Sequence, residues 1–123
     1  FAYAGHPPVL IRRRADGTWR AALLQPGDRP ANLPLGVTAD TPYYQASVPL
    51  AAGDRVFLYT DGLIEARDRS DTLFGDERLV GALAEAAGYD LMAVKSAVLE
   101  AVRRHAGGPL VHDDVTLMAI EVR

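Results

Sequence analysis

The chain has 123 residues, of which 49 % are hydrophobic and 24 % charged, with a formal net charge of −3. These values are typical of one globular domain, and no apolar run approaches the ~20 residues of a membrane span. The acidic balance disfavours a nucleic-acid-binding protein, because such proteins usually carry a basic face. The chain has no cysteine, which excludes disulfides and thiolate zinc sites and agrees with a cytoplasmic location. We therefore expect neither nucleic acid nor a membrane as a partner of this segment.

Several enzyme classes lack their signature residues in this chain. Lys95 is the sole lysine, so a P-loop or a Schiff-base lysine has almost no place. None of the serines lies in a Gly-x-Ser-x-Gly elbow, and no histidine spacing suits a zinc or di-iron site. The basic run Arg12–Arg14 is interpreted as a solvated strand end rather than a phosphate-binding patch.

The first third of the chain has the pattern of a β-hairpin followed by a loop. Val9–Ile11 is apolar, the Asp16-Gly17 pair is typical of a tight turn, and the chain returns through Trp19–Leu24. Proline and glycine are frequent in Gln25–Gly36, which predicts a loop.

The middle of the chain predicts two more strands. Tyr43–Leu50 alternates loosely between apolar and polar residues, and Ala51–Asp54 predicts a turn. Arg55–Thr60 is apolar on both faces, as in a strand that packed layers cover on both sides. Arg67–Thr72 is polar and charged, which predicts an exposed loop.

The last third changes to a helical period. One helix is predicted from Asp76 to a stop at Gly88, and Asp90 can cap a second helix that ends near Gly107. Their apolar stripes are Leu79, Val80, Leu83 and Ala87 in the first helix, and Leu91, Val94, Val98, Ala101 and Val102 in the second. Val115–Val122 predicts a final strand. This order of elements predicts an α+β domain with helices packed on an antiparallel sheet.

Two acidic clusters lie at the ends of predicted strands. Asp61 follows the buried strand, and Asp113 and Asp114 precede the final one. Carboxylates are preferred ligands of Mg²⁺ and Mn²⁺, so these strand ends, brought together, predict a divalent-cation site. Gly62 has no Cβ, which allows a metal or a phosphate to approach the main chain. Taken singly, each acidic residue is better explained as part of a turn or a cap, and it is the flanking residues that favour the metal site.

Alternation along the final strand separates the neighbouring acidic side chains. Successive side chains point to opposite faces, so we favour Asp113 as the ligand. Asp114 and Thr116 then either orient the metal ligands through hydrogen bonds or form the turn. His6 lies in extended backbone before two prolines, which favours a structural histidine; a place on the substrate side of the site is the alternative.

Five segments of the chain form a recognisable series of motifs. They are Ala4–Pro8, Leu33–Val37, Gly53–Ala66, Leu73–Gly75 and Asp113–Leu117. In this order they resemble the C-terminal half of the bacterial PPM-type (PP2C-like) serine/threonine phosphatases of the stage-II-sporulation-E and sigma-factor-regulator group. The resemblance implies a four-layer α-β-β-α sandwich with antiparallel sheets. Residues 1–123 would then form the C-terminal part of a single phosphatase domain that lacks its N-terminal half.

The resemblance also implies an activity in signal transduction. Asp61 and Asp113 match the metal-ligand positions of a site with two Mn²⁺ or Mg²⁺ ions. A metal-activated water would hydrolyse phosphoserine or phosphothreonine, with a phosphorylated anti-sigma-factor antagonist as the implied substrate protein. Further metal ligands would lie upstream of this chain, where the resemblance also leaves room for a sensor domain.

Two positions depart from the family pattern. The family usually has Asn where Tyr3 stands, and eukaryotic-type relatives have Asp where this chain has His6. A non-catalytic regulatory or protein-binding module on the same fold is therefore the alternative to the enzyme.

Overall fold

A computed structural model describes residues 2–22, 33–43, 45–108 and 114–123. The elements are β1 (Leu10–Arg12), β2 (Trp19–Ala21), β3 (Arg55–Tyr59), α1 (Asp61–Ile64), α2 (Gly75–Glu85), α3 (Leu91–Ala106) and β4 (Leu117–Glu121). The strands form one antiparallel sheet in the order β2-β1-β3-β4. This confirms the predicted α+β class. Of the helices in these ranges, none is long and apolar enough to cross a membrane.

The predicted hairpin joins β1 and β2. Gly17 adopts φ +69°, and its N–H donates to the carbonyl of Arg13 at 2.9 Å. The Asp16 carboxylate accepts from the N–H of Thr18 at 3.0 Å. The left-handed turn residue is a glycine, because other residues are strained there.

The helices α2 and α3 cover one face of the sheet. Phe57 and Tyr59 of β3 pack into this layer together with Trp19, whose Nε1 donates to the carbonyl of Leu83 at 3.1 Å. The buried helical residues are Leu79, Ala82, Leu83 and Ala86 on α2, and Val94, Val98 and Val102 on α3. The central residues of the predicted apolar stripes are therefore buried, as expected, whereas Val80 and Ala87 are only half-buried.

Local signals define the ends of α3. The Asp90 carboxylate accepts from the N–H of Ala93 at 2.8 Å, and Gly107 ends the helix with φ +71°. Both ends agree with the sequence prediction. Helix α2 ends at Glu85, earlier than the predicted stop at Gly88, because tighter turns follow it.

The opposite face of the sheet is covered only in part. A second cluster packs there, formed by Tyr3, Val9, Ile11, Ala22 and Val56, with Val48 and Leu58 at its margin. The Tyr3 hydroxyl donates to the carbonyl of Ala22 at 2.9 Å and accepts from the N–H of Val9 at 3.0 Å. On β4 the side chains of Met118 and Ile120 are 56 % and 43 % exposed.

One predicted strand is wrong. Within Tyr43–Leu50 the described residues form no regular strand, and the segment makes an isolated bridge between Gln45 and Ala2. Both edges of β3 are already paired, with β1 and β4, and Pro49 has no N–H to donate to a ladder. Tyr44 lies outside the described residues.

The basic run agrees with its interpretation as a strand end. Arg13 donates to the Asp54 carboxylate at 2.7 Å, and the main-chain N–H of Arg14 donates to the same group at 2.9 Å. The N–H of Ala51 completes the set at 3.0 Å. Hydrogen bonds from Ala51, Arg14 and Arg13 lower the pKa of Asp54 to about 2.

The polar segment after α1 folds back on itself. Arg67 and Leu73 form a β-bridge, and the Asp68 carboxylate accepts from the N–H groups of Ser70 and Thr72. The carbonyl of Thr72 lies 2.9 Å from Nε2 of His105, near the end of α3. The segment is largely exposed, as predicted, and it forms a closed turn that contacts α3.

Candidate functional site

The end of β3 carries the first acidic cluster. Asp61 is the first residue of α1, its side chain is exposed, and its Oδ1 accepts from the N–H of Gly62 at 3.0 Å. A turn was the alternative interpretation of this cluster, but the chain forms a four-residue helix, in which the N–H of Glu65 donates to the carbonyl of Asp61 at 2.9 Å. Leu63 is fully buried, which anchors α1 and leaves Asp61 facing outward.

The start of β4 carries the second cluster beside the first. The N–H of Thr60 donates to the carbonyl of Thr116 at 3.0 Å. The Thr60 hydroxyl accepts from the N–H of Thr116 at 3.0 Å and donates to the carbonyl of Asp114 at 2.9 Å. The structure thus brings Asp61 and the segment 114–116 to the same end of the sheet.

The candidate residues of the second cluster contribute through their main chain. Asp114 and Thr116 are both exposed, and their contacts with Thr60 use backbone atoms. Asp113, the favoured ligand, lies outside the described residues. It is the chain neighbour of Asp114, whose carbonyl the Thr60 hydroxyl holds.

Gly62 and His6, two further candidate residues, differ in their burial. Gly62 is buried in α1, and its N–H donates to the Asp61 carboxylate. His6 is exposed, with Nδ1 at 2.7 Å from the carbonyl of Pro7. Gly5 has φ +85°, and a Cβ there would lie 2.8 Å from Cγ of Pro34, so two of the motifs pack together. The described contacts do not join His6 to Asp61.

The carboxylate oxygens of the candidate site are of the type that binds hard divalent cations. An exposed carboxylate at a rigid strand end offers the oxygen ligands that Mg²⁺ and Mn²⁺ prefer. Across the four described ranges, no group of three or more His, Cys, Asp or Glu side chains is placed to hold a metal. Asp61 and Asp113 would therefore need further ligands from waters or from other parts of an intact protein.

Two contacts near the site could not be foreseen. One is the Thr60 hydroxyl, for which the only signal is a hydroxyl residue directly before Asp61. The other is the Tyr59 hydroxyl, which donates to the Asp76 carboxylate at 3.1 Å and joins the end of β3 to α2. Burial, together with the neighbouring carboxylate, raises the pKa of Tyr59 above its usual range.

Comparison with known families relates the whole chain to one family. The family model described as Stage II sporulation protein E (SpoIIE) matches residues 1–123, the whole chain. The chain belongs to the SpoIIE family. This confirms the resemblance that the motifs indicated.

Solved structures extend the comparison to the fold. The RsbU and RsbW domains of a Mycobacterium tuberculosis protein are 32 % identical to this SpoIIE chain, with a TM-score of 0.72 over 99 % of it and 31 % of that chain. The SiaA-PP2C domain of Pseudomonas aeruginosa has a TM-score of 0.72 at 22 % identity, over 98 % of this chain and 44 % of that one. The SpoIIE chain therefore has a PP2C-type phosphatase fold.

The chain spans only part of its relatives. Protein IcfG of Synechocystis sp. is 25 % identical over 121 residues, which are 95 % of this SpoIIE chain and 17 % of IcfG. The two structural relatives are also covered over less than half of their length.

Proposed function

We propose that the intact protein is a metal-dependent protein serine/threonine phosphatase. The observation that carries the proposal is the contact between the two acidic clusters, made by the hydrogen bonds of Thr60 to Asp114 and Thr116. The PP2C-type fold supports the same assignment. The two predicted ligand positions, Asp61 and Asp113, then serve one site at the end of the sheet.

The side chains have separate roles in this proposal. Asp61 and Asp113 hold Mn²⁺ or Mg²⁺, two ions in the intact domain. When bound, the ions offset charge on the phosphoryl oxygens and lower the pKa of a water molecule. The N–H of Gly62 orients the Asp61 carboxylate through its 3.0 Å hydrogen bond. Asp114 supports the facing segment through its carbonyl.

The substrate class follows from the relatives and from the exposure of the site. The Mycobacterium tuberculosis relative combines an RsbU domain with an RsbW domain. This combination, together with the family resemblance, supports phosphoserine or phosphothreonine on an anti-sigma-factor antagonist as the substrate. His6 is exposed, as the substrate side of such a site requires. We place the protein in the cytoplasm.

The rest of the phosphatase domain is proposed to come from an N-terminal half. That half would supply the second sheet of the sandwich and the remaining metal ligands. The exposed Met118 and Ile120 support this arrangement, because they leave an apolar surface on the sheet face opposite the helices.

The first test is Mn²⁺-dependent hydrolysis of a phosphoserine peptide by the full-length protein. Asp61→Asn removes one ligand charge and should lower turnover by more than about a hundredfold while leaving the fold intact. Asp71→Asn is the matched control, since Asp71 is also exposed but lies in the turn after α1. Full turnover in the Asp61→Asn protein would contradict the metal assignment.

The alternative is a regulatory module on the same fold. Tyr3, which stands where the family usually has Asn, commits its hydroxyl to Ala22 and Val9 in the core. This favours a structural role at that position. If the full-length protein neither binds Mn²⁺ in calorimetry nor hydrolyses the peptide, the regulatory module replaces the enzyme.

A further inference from the structure

Thr60 lies where the β3–β4 ladder ends and α1 begins. Tyr59 pairs with Leu117 in the last rung of the ladder, so the next rung would pair Thr60 with Thr116. In a hydrogen-bonded antiparallel pair, two residues exchange both of their N–H···O=C bonds. Thr60 makes one of these two bonds with its main-chain N–H and the other with its side-chain hydroxyl.

The Thr60 hydroxyl replaces its own main-chain carbonyl in the ladder. The carbonyl accepts instead from the N–H of Leu63 in α1 at 3.1 Å. The hydroxyl oxygen accepts from the N–H of Thr116 at 3.0 Å, and its proton goes to the carbonyl of Asp114 at 2.9 Å. The side chain makes no capping bond to α1. The hydroxyl therefore lets β3 turn into a helix while the facing segment stays attached.

We propose that Thr60 is a positioning residue of the metal site, an inference that rests on the proposed function. Its hydroxyl sets the position of Asp61, the next residue, relative to the segment that follows Asp113. A hydroxyl both accepts and donates, as this position requires. Valine has a similar shape but neither accepts nor donates a hydrogen bond. Thr60→Val therefore removes the hydrogen bonds to the Thr116 N–H and to the Asp114 carbonyl.

A positioning role differs measurably from a purely structural one. Loss of a group that orients metal ligands typically weakens metal binding by about 10–100-fold. A structural role alone would lower the stability of the protein but leave the metal affinity of the folded molecules unchanged. The serine variant separates the hydroxyl from the methyl group, because Thr60→Ser keeps both hydrogen bonds.

The experiment uses the full-length protein and Mn²⁺ as the probe. Calorimetry measures the Mn²⁺ dissociation constant of Thr60→Val, Thr60→Ser and the control Thr38→Val, whose hydroxyl bonds to Thr41 within its own loop. Hydrogen exchange measures the protection of the Thr116 amide in metal-free protein. We expect about 10–100-fold weaker Mn²⁺ binding and a deprotected Thr116 amide in Thr60→Val alone.

Each outcome decides one point. Wild-type Mn²⁺ affinity in folded Thr60→Val protein overturns the positioning role. If Thr60→Val does not fold, the smaller Thr60→Ala replaces it in the comparison with Thr60→Ser. If the wild-type protein itself binds no Mn²⁺, the proposed function fails first. If the wild type binds Mn²⁺ and the Thr60 variants match it, only the role of Thr60 fails.

Discussion

The Asp54 carboxylate joins two segments, its own turn and the residues that follow β1, at the end of β3 opposite Asp61. It accepts from the N–H groups of Ala51 and Arg14 and from the guanidinium of Arg13, and its side chain is only 4 % exposed. These donors hold the pKa of Asp54 at about 2, below its usual range. A carboxyl with a lowered pKa binds fewer protons in the folded than in the unfolded chain.

The free energy of unfolding should therefore decrease at low pH, where Asp54 becomes protonated. The contribution of Asp54 is fully present above pH ~4 and is lost as the pH falls toward about 2, because protonation breaks its charged hydrogen bonds. Urea unfolding of the full-length protein between pH 2 and 7 measures this loss. Asp54→Asn should be less stable at neutral pH and should show a flatter profile in the acid window. Parallel profiles for the two proteins would contradict the assignment.

Asp54 and Thr60 form hydrogen bonds with residues that are distant along the chain, and such partners cannot be predicted from the sequence. The turn at Ala51–Asp54 was predicted from local composition, but the partner Arg13 lies 41 positions away along the chain. The role of Thr60 is hidden for the same reason, since its hydroxyl bonds to a segment 54 and 56 positions further on. By contrast, Asp61 was singled out because the strand before it and the glycine after it are local signals.

At the scale of elements, helix ends were predicted where the residues that define them are local. The ends of α3 depend on Asp90 and Gly107, which act within their own turns. The predicted strand over Tyr43–Leu50 was wrong because a strand depends on pairing with a distant segment, and the described residues of this stretch make an isolated bridge between Gln45 and Ala2. The helix α1 was missed because four residues are too few to show a period.

We expect the N-terminal cap of α3 to contribute measurably to the free energy of unfolding. Asp90→Ala removes the 2.8 Å hydrogen bond to the N–H of Ala93 and should lower the free energy of unfolding by about 0.5–2 kcal/mol. Glu100→Ala is the matched control, because Glu100 is exposed in the middle of α3 and alanine favours a helix. Urea unfolding of the full-length variants measures both. Equal effects of the two substitutions would mean that the cap contributes nothing specific.

At the scale of the molecule, the two faces of the sheet differ. On β4, Leu117 and Ala119 pack toward the helices, so the alternating Met118 and Ile120 point to the opposite face. Val56 lies on that face too, and it is paired with Ile120 in the ladder. This apolar surface is what the proposed N-terminal half of the domain would cover.

Two exposed methionines allow the proposed cover to be tested. Met118 is 56 % exposed on the sheet face, and Met92 is 69 % exposed at the start of α3. If the N-terminal half packs on the sheet, Met118 is buried in the full-length protein. Met118→Gln should then lower the free energy of unfolding by about 1–3 kcal/mol, because it buries an amide in an apolar layer.

The control Met92→Gln makes the same chemical change on a surface that the proposed half does not cover. It should alter the free energy of unfolding by less than about 0.5 kcal/mol. Urea midpoints and slopes of the two full-length variants give the comparison. A Met118→Gln protein as stable as Met92→Gln would show that the sheet face stays open to water, and the second sheet would have to lie elsewhere. A selective loss in Met118→Gln instead places the missing layer of the sandwich against β4, where it can reach the metal site at the end of the same strand.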